Sequence, residues 1–106
     1  TAITTGTAKA TFRMPFAMRL TAVKASVTTA PTGALLIIDI NEGGTTILST
    51  KLSIDASERT SATAATAAVI SDSSLADDAE ITIDFDQVGS SVAGTGVKVY
   101  LIGYPQ

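Results

Sequence analysis

The run "EITIDFDQV" at residues 80–88 alternates polar and apolar side chains without a break. A period of two marks a strand, because successive side chains leave the backbone on opposite sides, whereas an amphipathic helix needs a 3.6-residue stripe. The same alternation recurs along the chain with turn signals between the runs, which predicts an all-β, antiparallel sandwich of about eight strands. Residues 9–14 place Ala10, Phe12 and Met14 on one face and Lys9, Thr11 and Arg13 on the other, until Pro15 stops the ladder. Between residues 16 and 27 the alternation changes phase: Met18 and Leu20 fit one register, and Val23, Ala25 and Val27 fit the opposite one. A bulge or bend near Thr21 and Ala22 absorbs such a slip.

The turn "TAPTG" at 29–33 leads into residues 34–40, a strand apolar on both sides. "NEGG" at 41–44 then predicts a hairpin, since glycine tolerates the positive φ that tight turns need, with 45–54 as the returning strand. The Ala-rich stretch 57–70 has neither a helical apolar stripe nor helix-favouring polar residues between its alanines. Its Thr and Val favour extended structure, so residues 60–70 are expected as one or two short strands with loop. After a Ser/Asp-rich turn, residues 80–88 and 97–102 are expected to close the chain as a hairpin.

Length and composition set the broad class. A chain of 106 residues suits one domain, here residues 1–106, able to bury roughly two-thirds of its unfolded surface. At 45% hydrophobic and 16% charged it lies far from the disordered regime. The seven Lys and Arg are scattered singly under a net charge of −3, so there is no basic stripe for nucleic acid. The longest apolar run, residues 34–38, is too short to cross a bilayer, and no segment has a signal-peptide layout, so a soluble chain without membrane insertion is expected. The sequence opens on Thr1 rather than Met, which fits a processed product or the ordered part of something longer.

Two absent residue types narrow the chemistry. Without cysteine there is no disulfide framework, thiolate nucleophile or zinc knuckle, and stability must come from packing and assembly. Without histidine a Ser-His-Asp hydrolase is excluded, and only a carboxylate enzyme remains open.

The carboxylates are therefore the residues to weigh. Strand periodicity puts Ile81, Ile83 and Phe85 on one face and Glu80, Thr82, Asp84 and Asp86 on the other, which exposure to solvent alone explains. Such a like-charged row is expected to be offset by a cation on a neighbouring strand, with Lys98 as the candidate. A hard cation such as Ca²⁺ needs six to eight oxygens, for which Asp72, Asp77, Asp78 and Glu80 in "SDSSLADDAE" are weak candidates, as is the turn "DINEGG" at 39–44; neither has EF-hand spacing. A glycosidase needs two acids facing across a cleft, which acids on one face of one strand do not provide. "GTGVKVY" at 94–100 leads into a strand rather than a helix and lacks the lysine and hydroxyl of a phosphate loop. No catalytic residue, cofactor or dedicated metal site is expected.

Tyr100 and Ile102 oppose Val97, Val99 and Leu101, while Leu35 and Ile37 oppose Leu36, Ile38 and Ile40. Strands apolar on both faces need cover on the second face as well. In so small a sandwich loops or a curled sheet can supply that cover, but a second subunit is the favoured one, which makes Leu35, Ile37, Tyr100 and Ile102 interface candidates.

"ITTGTAKATFRMPFAMRLTAVKASVTTAPTG", "INEGGTTILSTKLSID" and "LADDAEITIDFDQVGSSVAGTGVKVYLIG" together cover nearly the whole chain. They resemble a β-sandwich module of bacteriophage virion proteins, found at the C-terminal ends of tail-fibre and other appendage proteins. The "FRMP" strand end, the "DINEG" hairpin and "LADDAEITID" running into "DQVG" carry the resemblance. It implies a jelly roll, usually trimeric, exposed on the virion and contacting other virion proteins and a host-surface glycan or protein through loops. It brings no catalytic residues. No shaft of repeats precedes the module here, so a capsid decoration protein is the rival within the virion, and a carbohydrate-binding module of an extracellular enzyme is the rival of another class.

Overall fold

The computed structural model describes residues 2–106. Its regular structure is ten strands and one 3₁₀ turn at Ser61–Thr63. The strands are β1 (Gly6–Arg13), β2 (Met18–Ser26), β3 (Leu36–Glu42), β4 (Thr45–Thr46), β5 (Leu48–Thr50), β6 (Leu52–Ile54), β7 (Val69–Ile70), β8 (Ser74–Leu75), β9 (Glu80–Gln87) and β10 (Lys98–Pro105). One sheet runs β1-β9-β3-β4, with β6 also on β3; a second runs β10-β2-β8; β5 and β7 form a short ribbon. Every pairing between these strands is antiparallel, giving the all-β sandwich that the alternation predicts.

The core lies between the two main sheets. Leu36, Ile38, Ile40, Ile54, Ile81 and Ile83 come from the first and Leu20, Val23, Ala25 and Leu75 from the second. Each such Ile or Leu taken fully out of water contributes about 1.5–3 kcal/mol. The phase slip in β2 appears where the sequence places it. Ala22 pairs Ile102 and Leu20 pairs Gly103, leaving Thr21 as the extra residue of a bulge, so Leu20 and then Val23, Ala25 and Val27 all face inward. Gly103 sits opposite the bulge because a Cβ there would lie 2.2 Å from the Arg19 carbonyl oxygen.

The turn "NEGG" closes a two-residue hairpin, with Glu42 opposite Thr45 and both Gly43 and Gly44 at positive φ. The return strand is broken into β4, β5 and β6, because β5 leaves the first sheet to pair β7. Residues 60–70 hold the 3₁₀ turn and β7 with loop between.

One expectation is corrected. Residues 80–88 and 97–102 do not form a hairpin: β9 lies between β1 and β3, while β10 lies beside β2 in the opposite sheet. The intervening loop is long enough to cross the roughly 10 Å between packed sheets. It is also tied down on the way, by bridges from Val92 to Thr32 and from Thr95 to Thr29.

Candidate functional site

Three surface regions bear on function: the acidic outer face of β9 and β3, an open cleft between β1 and β10, and the outer face of β2 and β10.

On β9, Ile81, Ile83 and Phe85 are buried, so Glu80, Thr82, Asp84 and Asp86 face outward as expected. The balancing groups differ from expectation. Lys98 lies in the other sheet, opposite Ser26, because β10 does not follow β9 into its sheet. Lys51 instead pairs with Asp86, and Arg13 lies 3.9 Å from the Asp78 carboxylate and 4.0 Å from that of Glu80. The hydrogen bond to Asp86 holds the Lys51 pKa above the ordinary lysine value of 10.5. The charges of Asp86, Asp39 and Asp84 add to that rise, and desolvation opposes it.

Asp84 has a structural task. In β1, Gly6 pairs Phe85 and Ala10 pairs Ile83, so residues 7–9 bulge outward against one residue of β9. Asp84 Oδ1 accepts the Ala8 backbone N–H at 2.7 Å, where Ala8 holds the left-handed φ of 50°, and Oδ2 accepts from Asn41 Nδ2 at 2.9 Å. A charged acceptor on a strained amide fixes the bulge.

Asp39, opposite Asp84, is only 8% exposed, and the sequence brought it in only as the first residue of the calcium-candidate turn 39–44, not as a buried acceptor. Its Oδ1 accepts from its neighbour's amide, Ile40 N, at 2.9 Å and from the Thr46 hydroxyl. The signal available was a lone acid inside "LLIIDIN" ahead of a hairpin rich in threonine.

The calcium candidates do not converge. Asp72 Oδ1 accepts from Ser74 N within its own turn, Asp77 is exposed, and Asp78 and Glu80 face Arg13. Among the described residues no three acidic, His or Cys side chains are grouped so as to hold a metal ion.

The four interface candidates fall on two sides of the sandwich. Leu35 and Ile37 are half-buried on the side of β3 that carries Asp39, and the Gln87 side chain donates to the Leu35 carbonyl at 2.9 Å. Tyr100 and Ile102 lie on the outer face of the second sheet, 46% and 40% exposed.

A further apolar exposure lies between the sheets. β1 and β10 are edge strands, and between them the interior of the sandwich stays open as a cleft of about 210 Å³. Ala10, Phe12, Ile83, Phe85, Val99 and Leu101 are among its walls. Phe12 remains 41% exposed although it sits on the inward face of β1, so of the face formed by Ala10, Phe12 and Met14 only Met14 is buried. A second concavity, about 500 Å³, runs between β2 residues 21–24 and the segment 66–70.

The outer face of β2 and β10 was half legible. Lys98 pairs Ser26, Tyr100 pairs Lys24, Ile102 pairs Ala22 and, past the bulge, Tyr104 pairs Arg19. Three of the chain's seven cations and both of its tyrosines thus share one face. Tyr104, Arg19 and Lys24 were missed because their common orientation depends on pairing β10 with β2 across the bulge. Against protein-family models, curated proteins and solved structures the chain shows no match.

Proposed function

We propose that this chain is a structural and adhesive module of a bacteriophage virion surface, a fibre-tip or appendage sandwich that works as a homotrimer rather than as an enzyme. The observation that carries it is the open cleft. An apolar interior left unsealed along two edge strands costs free energy in water and is relieved when another surface closes it. Packing β1 and β10 edges of several copies together closes the cleft and shields free strand edges at once. The number three, and the virion context, come from the resemblance of the sequence to phage appendage modules.

The acids support a non-catalytic role. Asp84 holds a bulge, Asp86 pairs with Lys51 and Glu80 faces Arg13, each accounted for by the fold. Mass measurement in solution tests the assembly. The expected result is a trimer that dissociates on Phe12→Asp, a change at a site exposed enough for the single chain to tolerate. A monomer at high protein concentration overturns the proposal. A capsid decoration role would use the same edges against shell subunits, and rebinding to stripped capsids by a monomer would establish it instead.

A further inference from the structure

Charged groups on this chain are unevenly satisfied. Of its ten acids, nine have a side-chain partner within the chain, Asp77 being the exception among the described residues. Among the cations, Arg13 and Lys51 pair with acids and Lys9 donates to Thr4 Oγ1 at 2.8 Å. Arg19, Lys24, Arg59 and Lys98 make no ion pair among the described residues, and all but Arg59 lie on the outer face of β2 and β10, two strands that carry no acid. A cationic, acid-free patch on a chain of net charge −3 is complementary to an external anion. A second copy is a poor source of that anion, since its acids are already engaged.

Tyr100 and Tyr104 fix the kind of anion. They are 46% and 55% exposed, and four residues apart on one strand puts them roughly 13 Å apart. Exposed rings on a sheet face offer apolar, electron-rich faces at low entropic cost, which suit the C–H face of a pyranose. Lys98 to Tyr104 spans roughly 20 Å, a few sugar units, with three cations beside it. That sparse charge fits a polymer with one carboxylate per sugar or two; duplex DNA carries one charge per roughly 1.7 Å.

We propose that the outer face of β2 and β10 binds an acidic polysaccharide, with Tyr100 and Tyr104 taking sugar rings and Arg19, Lys24 and Lys98 its carboxylates. The proposal rests on the adhesive reading above and assigns the contact to a sheet face rather than to loops. In an oligomer, weak single faces add through effective concentration.

Calorimetric titration of the assembled protein with polygalacturonate oligomers tests it, with neutral dextran oligomers and oligothymidylate as comparators and mass measured on each sample. The expected result is salt-sensitive binding of polygalacturonate, weakened about tenfold or more by Tyr100→Ser with Tyr104→Ser and by Lys24→Glu. Lys9→Glu makes the same charge change on the other sheet and is expected to leave binding in place. No binding to polygalacturonate by an intact oligomer overturns this proposal alone. Equal binding of oligothymidylate, or equal weakening by Lys9→Glu, also overturns it. Binding of dextran instead keeps glycan adhesion and overturns the acidic class, whereas a monomer that still binds polygalacturonate supports the face and removes only the assembly.

Discussion

On the outer face of β9 and β3, Asp39, Asp84 and Asp86 each find a partner within the chain; on the outer face of β2 and β10, Arg19, Lys24 and Lys98 find no acid at all. The first face is knitted into the fold, through a bulge, a hairpin side chain and an ion pair. The second is held by its backbone ladder and leaves its charges and rings to solvent. A dense row of carboxylates therefore marks structure in this molecule, and a sparse set of cations marks the surface left to solvent. Local charge density in the sequence points the opposite way.

The contrast breaks most readily at Asp39. Asp39→Ala takes the side-chain acceptor from the Ile40 amide in a nearly buried position and leaves the Thr46 hydroxyl only the Leu48 carbonyl at 3.2 Å. Hydrogen bonds to a charged group contribute about 1.5–3 kcal/mol, and a chain of this size shifts by about 4–8 °C per kcal/mol, so a fall of about 6–24 °C in melting temperature is expected. An unchanged melt would show that Asp39 belongs with the dispensable surface charges.

Asp84→Ala comes next, at about 1–2 kcal/mol, because the bulge loses the acceptor for Ala8 N. Ala8→Gly removes the left-handed penalty at φ 50° and is expected to stabilise by up to about 1 kcal/mol. The two changes meet in one bulge, so their effects should not add; strict additivity in denaturant melts would separate Asp84 from the bulge.

These sites show why the sequence is informative in some places and silent in others. Alternation in residues 80–88 and the phase slip at Thr21 are set by which side chains reach the core, and period two reports that directly. Strand partners are set by loops that cross between sheets, and no local pattern reports those. Hence Lys98 looks like a neighbour of Asp84 on paper and stands in the other sheet in space. Tyr100 and Ile102 were readable as outward residues, but their company, Arg19, Lys24 and Tyr104, follows only from the β2–β10 register. The cleft was hidden for a related reason: Phe12 points inward on a strand whose opposite sheet ends short of covering it.

A smaller effect is expected at Lys51. Its folded pKa is raised, so its contribution is fully present below the unfolded value near 10.5 and is lost as pH rises through the folded value. Its side chain is 46% exposed, so solvent screening holds that contribution to under about 1 kcal/mol. Melting temperatures of the wild type and Lys51→Met should differ slightly at neutral pH and converge above pH 10.5. A gap that persists in strong alkali would assign the effect to packing of the lysine stem.

The smallest change is expected where the outer face of β2 and β10 is most altered. Lys24→Ser and Tyr100→Thr remove a charge and a ring from β2 and β10 while keeping strand-compatible residues and the backbone ladder. Surface substitutions of this kind stay within about 0.5 kcal/mol, so each variant should melt within a few degrees of the wild type. Set beside the loss at Asp39, that indifference would mean the fold does not need the face's chemistry, and its exposed rings and unpaired cations are then left to act on something outside the chain. A loss as large as that at Asp84 would place Lys24 and Tyr100 among the fold's own supports and remove the difference between the two faces.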